Sequence, residues 1–474
     1  MDNNVVSNAL KDSLVICRSS LKQEVRGRLV KFTRTAASFE IFSPDIDLRV
    51  SEILTDFTII FHERALYSGK ATVNALVGVG HSLLCSATLE EASWKDLQPG
   101  EEALTPAFLQ EKFAEFLGAW QKSYKIKPEF KNIVADMNNF LSDFRLWTDQ
   151  VEAGLQGDKS GKREREIAEV ISQSAFPAID TLFDKYEQSA SRIESGLESQ
   201  HQAYVRRQLQ PLLLCAPFAN RAVTKPMGYA GDYGIVNMIL EDPHKGDSLY
   251  AKILHRWFVK QPPAEAHRNR VKYLTARLLE ESLRAARSKD KVMRVYNVGA
   301  GPAREVQDFM AQQDISNTGD FTLVDFSEET LAHGQKVLSE SKSRNQRKTN
   351  LRFIKKSVAQ LLKSEGKITK RTLAQQYEFV YCAGLFDYLT DAVCKEFMNV
   401  LYGMVAPGGL LVATNVDSCN PIKHWLSDIL EWHLIYRNNA DMLALRPDDA
   451  SPEDTRLVSD PTGVNIYIEV RKPA

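Results

Sequence analysis

The chain has 474 residues, enough for two or three domains. Hydrophobic residues make up 43% and charged residues 26%, the mix of a folded globular protein, so wholesale disorder is excluded. Lys+Arg total 60 against Asp+Glu 61, a formal net charge of -1, which speaks against a general nucleic-acid binder or a polybasic membrane binder.

No run of about 18 apolar residues occurs, so no membrane-spanning helix is expected. The opening MDNNVVSNALKDSLVIC lacks the basic and then apolar regions of a secretion signal. Six cysteines (Cys17, Cys85, Cys215, Cys382, Cys394 and Cys419) are scattered and form no CxxC pair. Neither a zinc site nor a disulfide framework is expected, and the cysteine usage fits a reducing cytoplasm.

The first hundred residues read as β structure. VRGRLVKFT, SFEIF, FTIIF, GKATVNALVGVG and SLLCSATL are short β-branched or aromatic runs at the spacing of a small barrel or sandwich. The character changes near Pro99-Gly100. Phe130, Ile133, Met137, Phe140, Phe144 and Trp147 then recur in steps of three and four, a seam along one helix. A Gly-rich turn over 154–161 precedes a second helix with Ile167, Val170, Ile171, Ile179, Leu182, Phe183 and Tyr186 on its apolar side. The pair reads as an αα-hairpin whose aromatic seam packs either within the chain or on a second copy.

A proline-punctuated segment follows, then helices expected around 248–260 and 267–287. From there strands and helices alternate: VMRVYNVG, PAREVQDFMAQQ, FTLVDFS, EETLAHGQKVLSESK, NLRFIKKS, YEFVYCAG and GLLVATNV. The end, DTRLVSDPTGVNIYIEVRK, reads as two strands of a closing hairpin. The pattern predicts an α/β doubly wound sheet preceded by a small β-barrel domain and a helical segment. The polar run over 339–350 reads as a solvated loop. The domains are expected at 1–104 (β), 105–205 (helical hairpin) and 206–474, the last divided into a helical cap over 206–289 and a cofactor-binding core over 290–474.

The most informative stretch is VYNVGAGPAREV. Gly299-Ala300-Gly301-Pro302 lets the backbone turn sharply and approach a ligand, and the helix start beyond it offers free N–H groups. Pro302 suits the first helical turn. A pyrophosphate site would want a small residue at the sixth position, where Arg304 stands, which disfavours a nicotinamide-dependent oxidoreductase. Asp325 ends the next strand, where a carboxylate accepts from two ribose hydroxyls or caps a helix. Ser357 ends the third strand as adenine contact or cap. Asp387 and Tyr388 follow the fourth strand, at the switch point of such a sheet, and Asn415 ends the fifth.

In this order and spacing the GAGPAREV loop, the VDFS strand end, the PGG turn and the terminal hairpin resemble class I S-adenosylmethionine-dependent methyltransferases over 290–474. The resemblance implies a seven-stranded sheet with an antiparallel last strand. It implies Gly299 and Gly301 against the methionine part of the cofactor, Asp325 on its ribose and Ser357 with Val358 near its adenine. Ala300, Phe326 and Cys382 complete the expected cofactor set. Asn297 stands where the family usually has an acid. More narrowly, KPMGYAGDY, CAGLFDYL and EWHLIYR resemble bacterial proteins associated with 3-hydroxy-fatty-acid methyl esters. The β region is similar to PilZ-like domains, but no DxSxxG turn occurs between residues 20 and 100, so it reads as a degenerate scaffold or docking module that does not bind cyclic-di-GMP.

The expectation is then an in-line methyl transfer, most simply to an oxygen of a small-molecule or lipid-like acceptor, by a homodimer joined through the helical segment. His433, Tyr229 and Asp387 are the catalytic candidates. Asp232, Tyr388, Asn415 and Arg268 are the acceptor-binding ones. No metal is expected. A non-catalytic docking protein that binds the cofactor stands as the other reading.

Overall fold

The computed structural model describes residues 13–41, 46, 48–61, 64–79, 82–90, 93–94, 110, 113–114, 126–155, 161–287, 292–365 and 376–474. The Pro99-Gly100 transition, the centre of the Gly-rich turn, and the expected boundaries at 104/105 and 289/290 lie outside the described residues. The expected boundary at 205/206 falls within the helix Glu198–Leu213. By contact the chain divides into two compact units. One comprises Met1–Ala230, Pro243–Phe258 and Ile422–His433; the other comprises Gly231–Asp242, Val259–Pro421 and Leu434–Ala474.

The first unit begins with a closed antiparallel barrel in the order β1-β2-β3-β6-β5-β4. Its strands are β1 (Ser13–Arg18), β2 (Glu24–Phe32), β3 (Ala36–Ile41), β4 (Ile53–Phe61), β5 (Arg64–Val79) and β6 (Ser82–Leu89). Period-two alternation fills it: Val25 and Leu29 point in while Arg26 and Arg28 point out. Phe57 sits edge-on to Phe39 and Tyr67, at ring centroid distances of 5.5 and 5.9 Å. A Cβ on Gly27 would come within 2.7 Å of the Phe39 ring, so that glycine makes room for the aromatic core. β1 was not among the expected strands; its short SLVICR run closes the barrel by pairing with both β2 and β4.

The helices Pro128–Ala153 and Lys162–Ala190 pack on each other as the expected hairpin. Phe130, Ile133 and Met137 of the seam are buried, joined by Val134 and Leu141. Phe130 meets Tyr186 at 5.4 Å and His201 at 4.9 Å. The far end of the seam differs: Leu146 and Trp147 are 62% and 50% exposed, and Val170 of the second helix is 66% exposed.

The second unit is built on a sheet of seven strands in the order β12-β13-β11-β10-β7-β8-β9. Its strands are β7 (Met293–Val298), β8 (Gly319–Asp325), β9 (Asn350–Lys355), β10 (Tyr377–Cys382), β11 (Val405–Val416), β12 (Thr455–Ser459) and β13 (Asn465–Arg471). β13 runs antiparallel to both its neighbours and the pairs from β11 to β9 are parallel, which is the methyltransferase-like Rossmann arrangement expected. The inner strands β7, β8, β10 and β11 are largely apolar on both faces because helices cover both. The run over 339–350 is not all loop: the helix Glu328–Arg344, capped by the Ser327 side chain, carries its first half on a solvated face.

Among the described residues no helix is long and apolar enough to cross a membrane. Removing the barrel's central ring tests its packing: Phe57→Ala is expected to cost about 3–5 kcal/mol, read as a lower urea midpoint of the transition that reports on the barrel.

Candidate functional site

At the carboxyl end of β7 the chain turns through Gly299 to Ala303 before the helix Arg304–Gln312. Gly299 (φ 69°), Gly301 (φ 53°) and Ala303 (φ 48°) all take left-handed backbone, cheap for glycine and costly for alanine. The N–H groups of Gly299 and Ala300 donate to the Val324 carbonyl at 2.9 and 3.1 Å, tying the loop to the end of β8. A Cβ on Gly301 would meet nothing within 4 Å, so this glycine borders open space; one on Gly299 would lie 3.6 Å from Leu385. Pro302 does not sit in the first helical turn as expected. It precedes the helix, and Ala303 is the N-cap, because the left-handed step at Ala303 completes the turn.

Asp325 ends β8 almost buried. One carboxylate oxygen accepts from Gly301 N–H at 3.3 Å and the other from Ser327 N–H at 3.0 Å. Phe326 beside it is half-buried. Ser357 and Val358 follow β9; the Ser357 hydroxyl accepts from Gln360 N–H at 3.3 Å and so caps the helix Val358–Glu365. Cys382 ends β10 fully buried, and burial pushes its thiol far above the usual range.

A buried acid stands beside Asn297. Glu305, on the helix after the loop, accepts from Tyr381 Oη at 2.8 Å and from Asn297 Nδ2 at 3.3 Å. Burial raises its carboxyl pKa, with the Tyr381 hydrogen bond opposing. The residue eight positions on thus brings a carboxyl group next to the place where the sequence lacks one.

The loop after β10 is held by Arg437, which is buried. Its Nε donates to Asp391 at 2.8 Å; Nη1 donates to the Phe386 carbonyl (2.8 Å) and Asn415 Oδ1 (2.7 Å); Nη2 donates to the Leu389 carbonyl and Asp391, both at 2.7 Å. Asn415 is spent within this network, its Nδ2 donating to the carbonyls of Val416 and Ile435. Asp387 accepts from Val416 N–H at 2.7 Å. Burial raises its carboxyl to about 6, against that hydrogen bond and the charges of Arg270 and Arg437. Tyr388 next to it is half-buried.

Two arginines on the helix Pro262–Ala285 have different settings. Arg268 pairs with Glu265 at 2.8 Å and donates to the carbonyls of Ile239 (3.0 Å) and Val259 (2.9 Å), so its guanidinium is committed to backbone. Arg270 reaches the end of β10: a Cβ on Gly384 would fall 2.9 Å from its Nη1. It donates to His267 Nδ1 at 2.7 Å, and burial together with Arg270 and Arg268 keeps that imidazole neutral, well below its usual range. The two arginines stand two positions apart on one helix, and only the fold separates the one at the end of β10 from the one that fastens a loop.

The remaining candidates divide between the units. Asp232 belongs to the second and caps the helix Tyr233–Leu240, accepting from Gly234 N–H (2.8 Å) and Ile235 N–H (3.0 Å). Tyr229 and His433 belong to the first. Tyr229 is half-buried. His433 is buried, its backbone N–H and carbonyl both bonded to the Ser51 hydroxyl. The second unit therefore gathers Gly299, Ala300, Gly301, Asp325, Phe326, Ser357, Val358, Cys382, Asp387, Tyr388 and Asn415 at the carboxyl ends of five strands, the place where doubly wound sheets bind ligands.

No family model matches the chain and no curated protein matches it. Among solved structures it is similar to a possible exported protein from Bordetella parapertussis, at 14% identity over 74% of this chain and 100% of that one, with a TM-score of 0.37. It is also similar to magnesium protoporphyrin IX methyltransferase from Synechocystis PCC 6803 with bound SAH (13%, 57% and 99%, TM-score 0.35). A third is the N-methyltransferase NodS from Bradyrhizobium japonicum with S-adenosyl-L-homocysteine (13%, 44% and 88%, TM-score 0.29). At these scores the likenesses carry no argument about activity, which rests on the site's own residues.

Replacing Arg437 by Met would strand buried carbonyls and free the loop after β10. The expected cost is about 3–5 kcal/mol, measured by thermal or chemical denaturation, while Arg304→Met, on an exposed pair with Asp308, should stay within about 0.5 kcal/mol of the parent.

Proposed function

We propose that the chain is an S-adenosylmethionine-dependent methyltransferase that methylates an oxygen of a small-molecule or fatty-acid-like acceptor. The carrying observation is the juxtaposition of open space at Gly301 with the buried Asp325 carboxylate at the ends of β7 and β8. A nucleoside with an amino-acid tail fits this donor set: a carboxylate for ribose hydroxyls, a side-chain-free loop for the tail, and a guanidinium for the tail's carboxylate. Gly299, Ala300 and Gly301 would hold the methionine part, Asp325 with Phe326 the ribose, and Ser357 with Val358 the adenine. Cys382 would close the floor, and Arg270 would take the carboxylate.

When bound, the cofactor supplies an activated methyl group for in-line displacement. The chain's own residues position the acceptor and exclude water. A carboxylate acceptor is ionised at neutral pH and needs no base; a hydroxyl does. Asp387 and Tyr388, directly after β10, are the groups we propose to face the acceptor, with Asp387 near 6 suited to take a proton. Asn415, Asp232 and Arg268, whose bonds are largely taken by backbone, act by positioning the loops around them. The three-part division, the PilZ-like character of the barrel and a cytoplasmic location belong to the same proposal. So does a homodimer, supported by the exposed Leu146, Trp147 and Val170.

Calorimetry tests the reading. S-adenosylmethionine and S-adenosylhomocysteine should bind and NAD(H) should not. Asp325→Ala should lose about 1.5–3 kcal/mol of cofactor affinity, and an unchanged dissociation constant would place the ribose elsewhere. Labelled cofactor incubated with cell extract should label an acceptor; binding without turnover would favour the docking reading. Light scattering should give a dimer at tens of micromolar that Trp147→Glu dissociates.

A further inference from the structure

Among the buried polar atoms of the first unit that have no hydrogen-bond partner are Lys225 Nζ, a cationic group, and His433 Nε2. They belong to segments held by the same stretch of barrel. The Ser51 hydroxyl accepts from His433 N–H and donates to its carbonyl at 2.9 Å, and Ile53 N–H donates to the Gly228 carbonyl at 2.7 Å, closing the turn that Lys225 opens. Glu52 between them is itself fixed, accepting from the N–H groups of Ser20 and Arg49. The two side chains are thus presented by a rigid frame.

That frame is strained. Ser51 (φ 65°), Lys225 (φ 42°) and Glu431 (φ 52°) account for three of the seven non-glycine residues with left-handed backbone among the described residues. Lys225 also precedes a proline, which narrows its backbone choices further. Strain of this kind persists where the surroundings impose it and gathers at sites that bind or react. An unpaired buried ammonium costs folding free energy as well. A packing role explains neither, since a methionine would fill the same volume without the cost.

We propose that Lys225 and His433 form a binding site for a small oxyanion, a carboxylate or phosphate group, which accepts from the Lys225 ammonium and from His433 Nε2–H. The charges acting on Lys225 are those of Glu431 and Arg206, and Lys225 and Arg206 in turn act on His433. Arg206 is held by the Asp428 carbonyl at 2.8 Å, and Glu431 accepts from Gln210 at 3.3 Å. Burial pulls the ammonium down to about 8, with Glu431 opposing and Arg206 adding. Burial, then Lys225 and Arg206, hold the imidazole down to about 3, so it is neutral when the anion enters. The site lies wholly within the first unit and does not rest on the methyltransferase reading.

The full chain, without cofactor, is titrated by calorimetry with acetate, inorganic phosphate and acetamide. Either oxyanion should bind where neutral acetamide does not, and which one binds identifies the source of the group. Affinity should fall about tenfold between pH 7 and 9 as Lys225 loses its proton. Lys225→Met should weaken binding at least tenfold and raise the melting temperature of the ligand-free protein by about 2–4 °C. Binding no stronger than acetamide, an affinity independent of pH, or a Lys225→Met protein that binds as the parent does would overturn the proposal. A fall in melting temperature would overturn it too, since a structural lysine predicts that sign. Lys225→Arg, which keeps the charge, should retain binding.

Discussion

Every N–H of the Arg437 guanidinium is used, and the chain around the carboxyl ends of β10 and β11 depends on it. Desolvating an arginine costs several kcal/mol, and the cost is met only when each donor finds an acceptor in good geometry. Here the acceptors are the carbonyls of Phe386 and Leu389, the Asn415 amide and the Asp391 carboxylate. Those groups come from the loop after β10, the end of β11 and the start of the next helix. Backbone bonds add to the clasp, with Ile435 N–H donating to Asp387 and Arg437 N–H to Val416. The side chains at the switch point are therefore preorganised before any ligand arrives.

The facing wall is built differently. Between β7 and β8 the chain has few side chains to lock, so order comes from backbone. Gly299 and Ala300 share the Val324 carbonyl, and Asp325 receives the Gly301 N–H. Gly334 brings the helix Glu328–Arg344 close, since a Cβ there would fall 3.4 Å from the Gly301 carbonyl. One wall of the crevice is thus rigid through a buried side-chain network and the other through left-handed turns without side chains. That asymmetry suits a ligand with a polar, flexible tail on one side and a transferable group on the other.

Much of this was legible in the sequence because it depends on local pattern. Continuous apolar strands, the GAG turn and the terminal hairpin announced the sheet, its helices and the position of Asp325. What was not legible depends on three-dimensional convergence. Arg268 was the arginine expected to bind the acceptor, yet Arg270, two positions on, is the one that lies against Gly384. Asn415, expected at a strand end to bind the acceptor, accepts from Arg437, a residue 22 positions on whose part in the site no local pattern announces. The loop character expected of 339–350 failed because a solvated helical face and a loop have the same composition.

Buried polar groups are treated in two ways here, and the contrast between Arg437 and Lys225 has a physical reading. Arg437 and Asn415 are satisfied by their own chain, so their burial costs little and they serve as scaffold. Lys225 and His433 sit in an equally well-defined frame, with Ser51 and Gly228 fixed by hydrogen bonds, yet their polar ends are left unmatched. A chain able to satisfy a buried guanidinium in full has the means to neutralise a buried ammonium. Where the same fold leaves one unpaired, on strained backbone, the missing partner is best sought outside the chain.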